Sequence, residues 1–211
     1  MTLPLFPLST VLFPQGRLPL QIFEVRYLDM VQRCHREQSP FVVACLNEGR
    51  EVQRAGPDNG FAPEGFYPTG TLAYITQLEP VRAGLLWVVC RGDARVHIRR
   101  SERGALGLWF GDVETLPHDQ AVAIPSELSH VSDALREVQT QLHRDHPNAL
   151  GGTAPLQEGA PEWQDAGWVA NRWAEMLPLP PDLKQRLLTL DSPLLRLELI
   201  DDQLDDLGLG S

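Results

Sequence analysis

The spacing of apolar positions changes once along the chain. Up to about residue 125 they fall in short runs, rich in β-branched and aromatic residues and bounded by Gly and Pro, which is the pattern of strands. Leu18–Glu24 (LPLQIFE), Pro40–Leu46 (PFVVACL), Thr69–Leu78, Leu85–Arg91, Arg95–Arg99 and Leu106–Thr115 read as strands on this basis. One segment breaks the series. In Val25–Glu37, Leu28, Val31 and Cys34 recur at helical spacing and predict a helix. Many short strands with a single early helix predict a small barrel or barrel-like sheet.

Beyond that point the period becomes helical. Leu128, Val131, Leu135, Val138 and Leu142 form one stripe, with Ser126 as the expected N-cap and Pro147, Gly151 and Gly152 marking the end. A second stripe runs through Ala166, Val169, Trp173 and Met176, and a third helix fits Asp182–Leu190. A fourth opens at Ser192 with Pro193 in its first turn and carries Leu197, Ile200, Leu204 and Leu207. The expected class is therefore α+β: a β domain over 1–120 and a helical bundle over 125–211. Gly56–Gly70, with four Gly and three Pro, and Pro147–Pro161 read as exposed loops.

Charge narrows the partners. The net charge is −10, but residues 1–110 carry 12 basic and 10 acidic side chains, and residues 111–211 carry 6 and 18. An acidic chain repels phosphate backbones, and no basic stripe interleaved with aromatics is present, so no nucleic-acid partner is expected. The longest apolar run, Leu85–Cys90, is far short of the ~18 residues a membrane span needs. The N-terminal stretch has no basic leader, and Cys34, Cys45 and Cys90 show no metal-ligand or redox spacing. A reduced, cytoplasmic chain with buried thiols is expected.

The residues of common catalytic sites are missing. A phosphate-binding Walker loop needs lysine followed by Ser or Thr, whereas the one lysine, Lys184, precedes Gln185. The same fact removes Ser–Lys hydrolase schemes. No G-x-S-x-G elbow and no H-E-x-x-H pair occurs. His143 and His146, with Asp145 between them, are read as residues suited to a helix C-terminus rather than metal ligands, and Cys34–His35 as neighbours that point apart. Asp201, Asp202, Asp205 and Asp206 form the polar face of the last helix, and Asn171 is read as a satisfied core amide. No cofactor, metal or enzymatic activity is expected.

The order of Pro, Phe and Leu in residues 3–31, LPLFPLSTVLFPQGRLPLQIFEVRYLDMV, is more specific. It resembles the opening of the N-terminal substrate-binding domain of the ATP-dependent protease Lon, a domain also found alone in small bacterial proteins and within cereblon. Gly70–Thr71 with Tyr74–Ile75 is similar to that family's GTxAxI strand, and Gly92, Arg95, Val96 and Ile98 to its GxxRFRI segment. Trp168–Leu179 and Lys184–Leu197 look like the helical region of its stand-alone members. Gln15 departs from a glycine the family often has.

The resemblance implies a PUA-like β pseudo-barrel followed by helices, without Lon's downstream ATPase and protease. It implies a non-catalytic protein that binds unfolded or partly folded polypeptide, an adaptor in quality control working with a protease or chaperone. An RNA-binding PUA-like module and an enzyme of unidentified type are the alternatives. Two segments are the candidate substrate-binding residues. Phe61, Phe66 and Tyr67 lie in the Gly/Pro-rich stretch, where rings are hard to bury in a regular strand. Phe23, Glu24, Arg26 and Tyr27 form the other: either an exposed ion pair with two aromatics, or a strand–helix junction with both rings in the core and Glu24 capping or pairing with Arg26.

Overall fold

The N-terminal stretch LPLFPL forms a strand in spite of its two prolines. The computed structural model describes residues 1–48, 65–146, 156–157 and 159–209, and in it Thr2–Leu8 is β1. Its two partners use different lengths of it: Thr2–Leu5 pairs antiparallel with β6 (Trp109–Thr115), and Leu5–Leu8 pairs parallel with β3 (Phe41–Glu48). Pro4 and Pro7 each therefore have one neighbouring ladder, and the missing N–H can face away from it.

β2 (Arg17–Ile22), β4 (Gly65–Arg82) and β5 (Leu85–Arg103) complete the sheet. Its order is β2-β5-β4-β3-β1-β6, and β5 also pairs with β6, so five strands close on themselves. The pseudo-barrel expected above is present. One difference lies in β5, where the two expected strands form one continuous strand whose first half pairs with β2 and second half with β6. Another lies in β4, which begins at Gly65, so the last six residues of the expected Gly56–Gly70 loop are strand. Residues 56–64 of that loop, and most of Pro147–Pro161, lie outside the described residues.

Alternation along the strands produces two apolar clusters. Phe41 and Val43 of β3 join Phe6, Leu8, Ile22, Ile75, Val88 and Cys90 beneath helix α1 (Val25–Glu37), which contributes Tyr27, Met30, Val31 and Cys34. Val42 and Ala44 point the other way, joining Leu5, Leu72, Val96, Ile98 and Val113. The continuous run FVVACL is thus a strand buried on both faces.

Two family-like glycines have steric reasons. A Cβ on Gly70 would lie 2.6 Å from the Val43 carbonyl oxygen, and one on Gly92 would lie 2.2 Å from that of Phe13. The Thr71 hydroxyl donates to the Leu12 carbonyl at 2.6 Å, and the Gly92 N–H donates to that of Gly16 at 2.8 Å. These contacts fix the turn after β1, in which Gln15 adopts φ 62°. That left-handed value is why glycine suits the position.

Contacts divide the chain into two units. The first comprises Met1–Pro117 with Pro180–Leu188, and the second His118–Leu179 with Thr189–Ser211. Most of helix α4 (Pro181–Thr189) thus belongs with the barrel. Within that unit the buried Gln185 amide donates to the Thr69 carbonyl at 2.8 Å, and buried Arg95 donates to the Leu188 carbonyl at 3.0 Å. The second unit holds α2 (Ser129–Asp145), α3 (Ala166–Met176) and α5 (Pro193–Asp206). Ser192 caps α5, its hydroxyl accepting from the Leu195 N–H. Ser126 does not cap α2; it opens a short 3-10 turn, and Leu128 precedes the helix. In this unit the Trp173 indole donates to the Val131 carbonyl at 2.9 Å, and the Ser132 hydroxyl to that of Trp163 at 2.6 Å.

All three cysteines are buried and none is in a disulfide. Burial pushes the Cys90 thiol up to about 12 and also raises Cys34. Because the thiolate is the reactive form, a disulfide reagent at neutral pH is expected to modify none of the three in the folded protein and all three in urea. Cys90 ionises more readily unfolded than folded, so its contribution is full below the ordinary thiol range and is lost as pH rises from about 9 toward about 12. Fast modification of the native protein would show that the core opens readily.

Candidate functional site: the start of helix α1 and the β5–β6 turn

The strand–helix junction IFEVRY sorts its side chains sharply. Glu24 precedes α1 with extended backbone (φ −76°, ψ 131°), and its carbonyl accepts from the Tyr27 and Leu28 N–H groups at 2.9 Å each. Its side chain makes no cap bond and instead pairs with Arg26 at 3.1 Å. Arg26 is only 6% exposed. Its guanidinium lies 4.4 Å from the centre of the Tyr27 ring, and Nη1 donates to the Gly107 carbonyl at 3.0 Å. Tyr27 is buried in turn, its ring 4.0 Å from that of Phe6. Of the two arrangements open for these residues, the ion pair and the buried Tyr27 follow the junction reading. Phe23 does not: it is 53% exposed.

Two further apolar side chains stand out in water. Val25, the first residue of α1, is 63% exposed, and Leu106, in the Ala105–Gly107 turn between β5 and β6, is 65% exposed. The Arg26–Gly107 bond holds that turn against the helix start. Leu106 has φ 58° and ψ 13°, a left-handed conformation that costs a residue with a Cβ about 1–2 kcal/mol. The turn is closed by Gly104 N–H to Leu108 O at 2.7 Å and Gly107 N–H to Gly104 O at 3.2 Å. Val81, 57% exposed, lies at the same end of the β2-β5-β4 sheet, since Ile22 pairs with Leu86 and Leu86 with Pro80. Sequence reasoning picked out Phe23 but missed Val25, Val81 and Leu106. An apolar residue just before a turn glycine is the one signal for Leu106.

The other candidates are placed differently. Phe66 and Tyr67 sit half-buried in β4, with Phe66 opposite Leu46 and edge-on to Trp109 at 5.5 Å. Phe61 lies outside the described residues. The structure therefore brings Phe23, Glu24, Arg26 and Tyr27 together with the β5–β6 turn, and Phe66 against Trp109. Among the described residues, no group of three or more His, Cys, Asp or Glu side chains could hold a metal. Asp145 accepts from the Gln141 amide at 2.8 Å, and the His146 N–H closes the end of α2 on Leu142. No helix among the described residues is long and apolar enough to cross a membrane.

The family described as the ATP-dependent protease La (LON) substrate-binding domain matches residues 2–206. The chain belongs to this Lon substrate-binding family. Among solved structures, it is similar to a Lon N-terminal domain protein from Xanthomonas campestris, with 28% identity and a TM-score of 0.71 over 95% of this chain and 96% of that one. The N-terminal domain of Mycobacterium avium complex Lon protease shares the fold, with 17% identity and a TM-score of 0.62 over 98% of this chain and 99% of that one. No curated protein matches the chain. Within the Lon family frame, Arg26 and Glu24 of the opening motif have a visible structural role, because they fasten the β5–β6 turn to the start of α1.

Proposed function

We propose that the chain binds non-native polypeptide and does no chemistry on it. The observation that carries this reading is the Lon substrate-binding match over residues 2–206, which accounts for nearly all of these 211 residues. The surface proposed for the client is Phe23 with Val25, two exposed apolar side chains that neither core uses. Exposed apolar surface of this kind marks interaction sites, and unfolded chains present matching groups. Glu24 is balanced by Arg26, so the contact is apolar rather than ionic and depends little on salt. β2 is an edge strand, but Pro19 in its middle withholds a donor, which disfavours capture of the client as an added strand. The client would then pass from this adaptor to a protease or chaperone in the cytoplasm.

The test is fluorescence anisotropy with labelled, reduced and carboxymethylated α-lactalbumin, with the native, disulfide-bonded form as control. Wild type is expected to bind the unfolded form alone. Phe23→Ser with Val25→Ser should weaken binding at least about tenfold, since two truncated contacts can remove about 1.4 kcal/mol or more. The melting temperature should hold, because both side chains are exposed. Absence of binding by wild type, or release of peptides from the probe, would refute the reading.

A further inference from the structure

The leucine at 106 has no explanation inside the molecule. Its backbone is left-handed, where Gly or Asn is the usual choice because a Cβ meets the following carbonyl. Its side chain is 65% exposed, so burial does not offset that cost. The conformation persists because the surroundings over-determine it: Gly104 and Gly107 close the turn, and the buried Arg26 guanidinium grips the Gly107 carbonyl. A residue that is unfavourable both in backbone and in hydration, in a turn hydrogen-bonded to the helix start that carries the exposed Val25, is shaped for contact with something outside the chain.

We propose that Leu106 is an anchor of the client surface, inserting between apolar side chains of an extended, unfolded polypeptide. The inference rests on the proposed function and adds to it which side chain anchors the client. Rigidity is the physical point: a side chain already fixed in position loses little freedom on binding, so its apolar contact is less offset by entropy. Val25 and Phe23 widen the surface, while Leu106 projects from a clamped turn.

The experiment measures anisotropy with the same carboxymethylated α-lactalbumin, alongside thermal melting and sedimentation, for Leu106→Gly, Leu106→Asn and Leu106→Met. Gly and Asn suit the left-handed backbone, so their melting temperatures should equal that of wild type or exceed it by about 2 °C. Client affinity should nevertheless fall about fivefold to tenfold in both. Met keeps the apolar reach and the backbone cost, and should retain affinity within about twofold. If wild type binds and the Gly and Asn variants bind equally well, Leu106 is not the anchor, whereas the proposed function stands. If wild type does not bind, that function itself fails. If Leu106→Gly abolishes a concentration-dependent dimer and leaves client affinity unchanged, a second copy covers this turn and the inference is overturned.

Discussion

Replacing Arg196 by methionine is expected to lower the melting temperature by roughly 10 °C. Arg196 is 1% exposed and is the largest fully buried side chain among the described residues. Its Nη1 donates to Asp119 Oδ2 at 2.6 Å and to Asn171 Oδ1 at 2.9 Å, and its Nη2 donates to the Leu190 carbonyl. One guanidinium therefore joins the segment before α2, the middle of α3 and the stretch leading into α5. Methionine fills similar volume but leaves a carboxylate, an amide oxygen and a carbonyl without their shared donor. Breaking a buried pair from one side costs about 3–5 kcal/mol. At ~2–4 °C per kcal/mol for a chain of this size, that gives the stated shift. Lysine keeps the charge but cannot present the planar fork, so Arg196→Lys should recover only part. A melting temperature within about 2 °C of wild type for the methionine variant would mean that the network adds little.

The same residue shows what the sequence reveals and what it hides. Asn171 reads as a satisfied core amide from its place in an apolar helix, and it is one, but the donor lies on another helix and has no signature of its own. Helical stripes behave alike. The helix expected over Asp182–Leu190 forms as Pro181–Thr189, yet period alone does not say that its residues cluster with the barrel. β1 is hidden for a different reason. Prolines argue against a strand, and only the staggered use of β3 and β6 along Thr2–Leu8 makes them tolerable. Gly65–Gly70 reads as loop by composition because the need for Gly70 comes from the Val43 carbonyl, a contact between strands.

In the candidate site, the boundary lies between local and tertiary causes. The Glu24–Arg26 pair and the helix start are legible, since they depend on neighbours in sequence. Leu106 is not, since its backbone angle is imposed by a turn that Arg26 holds through Gly107, 81 positions away.

That hydrogen bond is itself open to test, and Arg26→Met should lower both stability and client affinity. The guanidinium is buried against Tyr27, ion-paired with Glu24 and hydrogen-bonded to the Gly107 carbonyl. Its loss leaves a half-buried carboxylate without its counter-ion and a carbonyl without its donor, which costs about 3 kcal/mol. At ~2–4 °C per kcal/mol, the melting temperature should fall by roughly 6–12 °C. The turn loses its clamp at the same time. Leu106 is then free to leave the left-handed region, and its contact with client carries a larger entropic cost. Affinity for carboxymethylated α-lactalbumin, measured well below the melting transition, should fall by about fivefold. Arg26→Lys should fall between the two, because an ammonium can pair with Glu24 but not also reach Gly107 with the same geometry. Leu106→Gly combined with Arg26→Met provides the decisive comparison. If the clamp acts through Leu106, the double variant binds client no more weakly than Leu106→Gly alone, although it melts lower. Additive losses in affinity would instead show that Arg26 supports the surface by some route other than this turn.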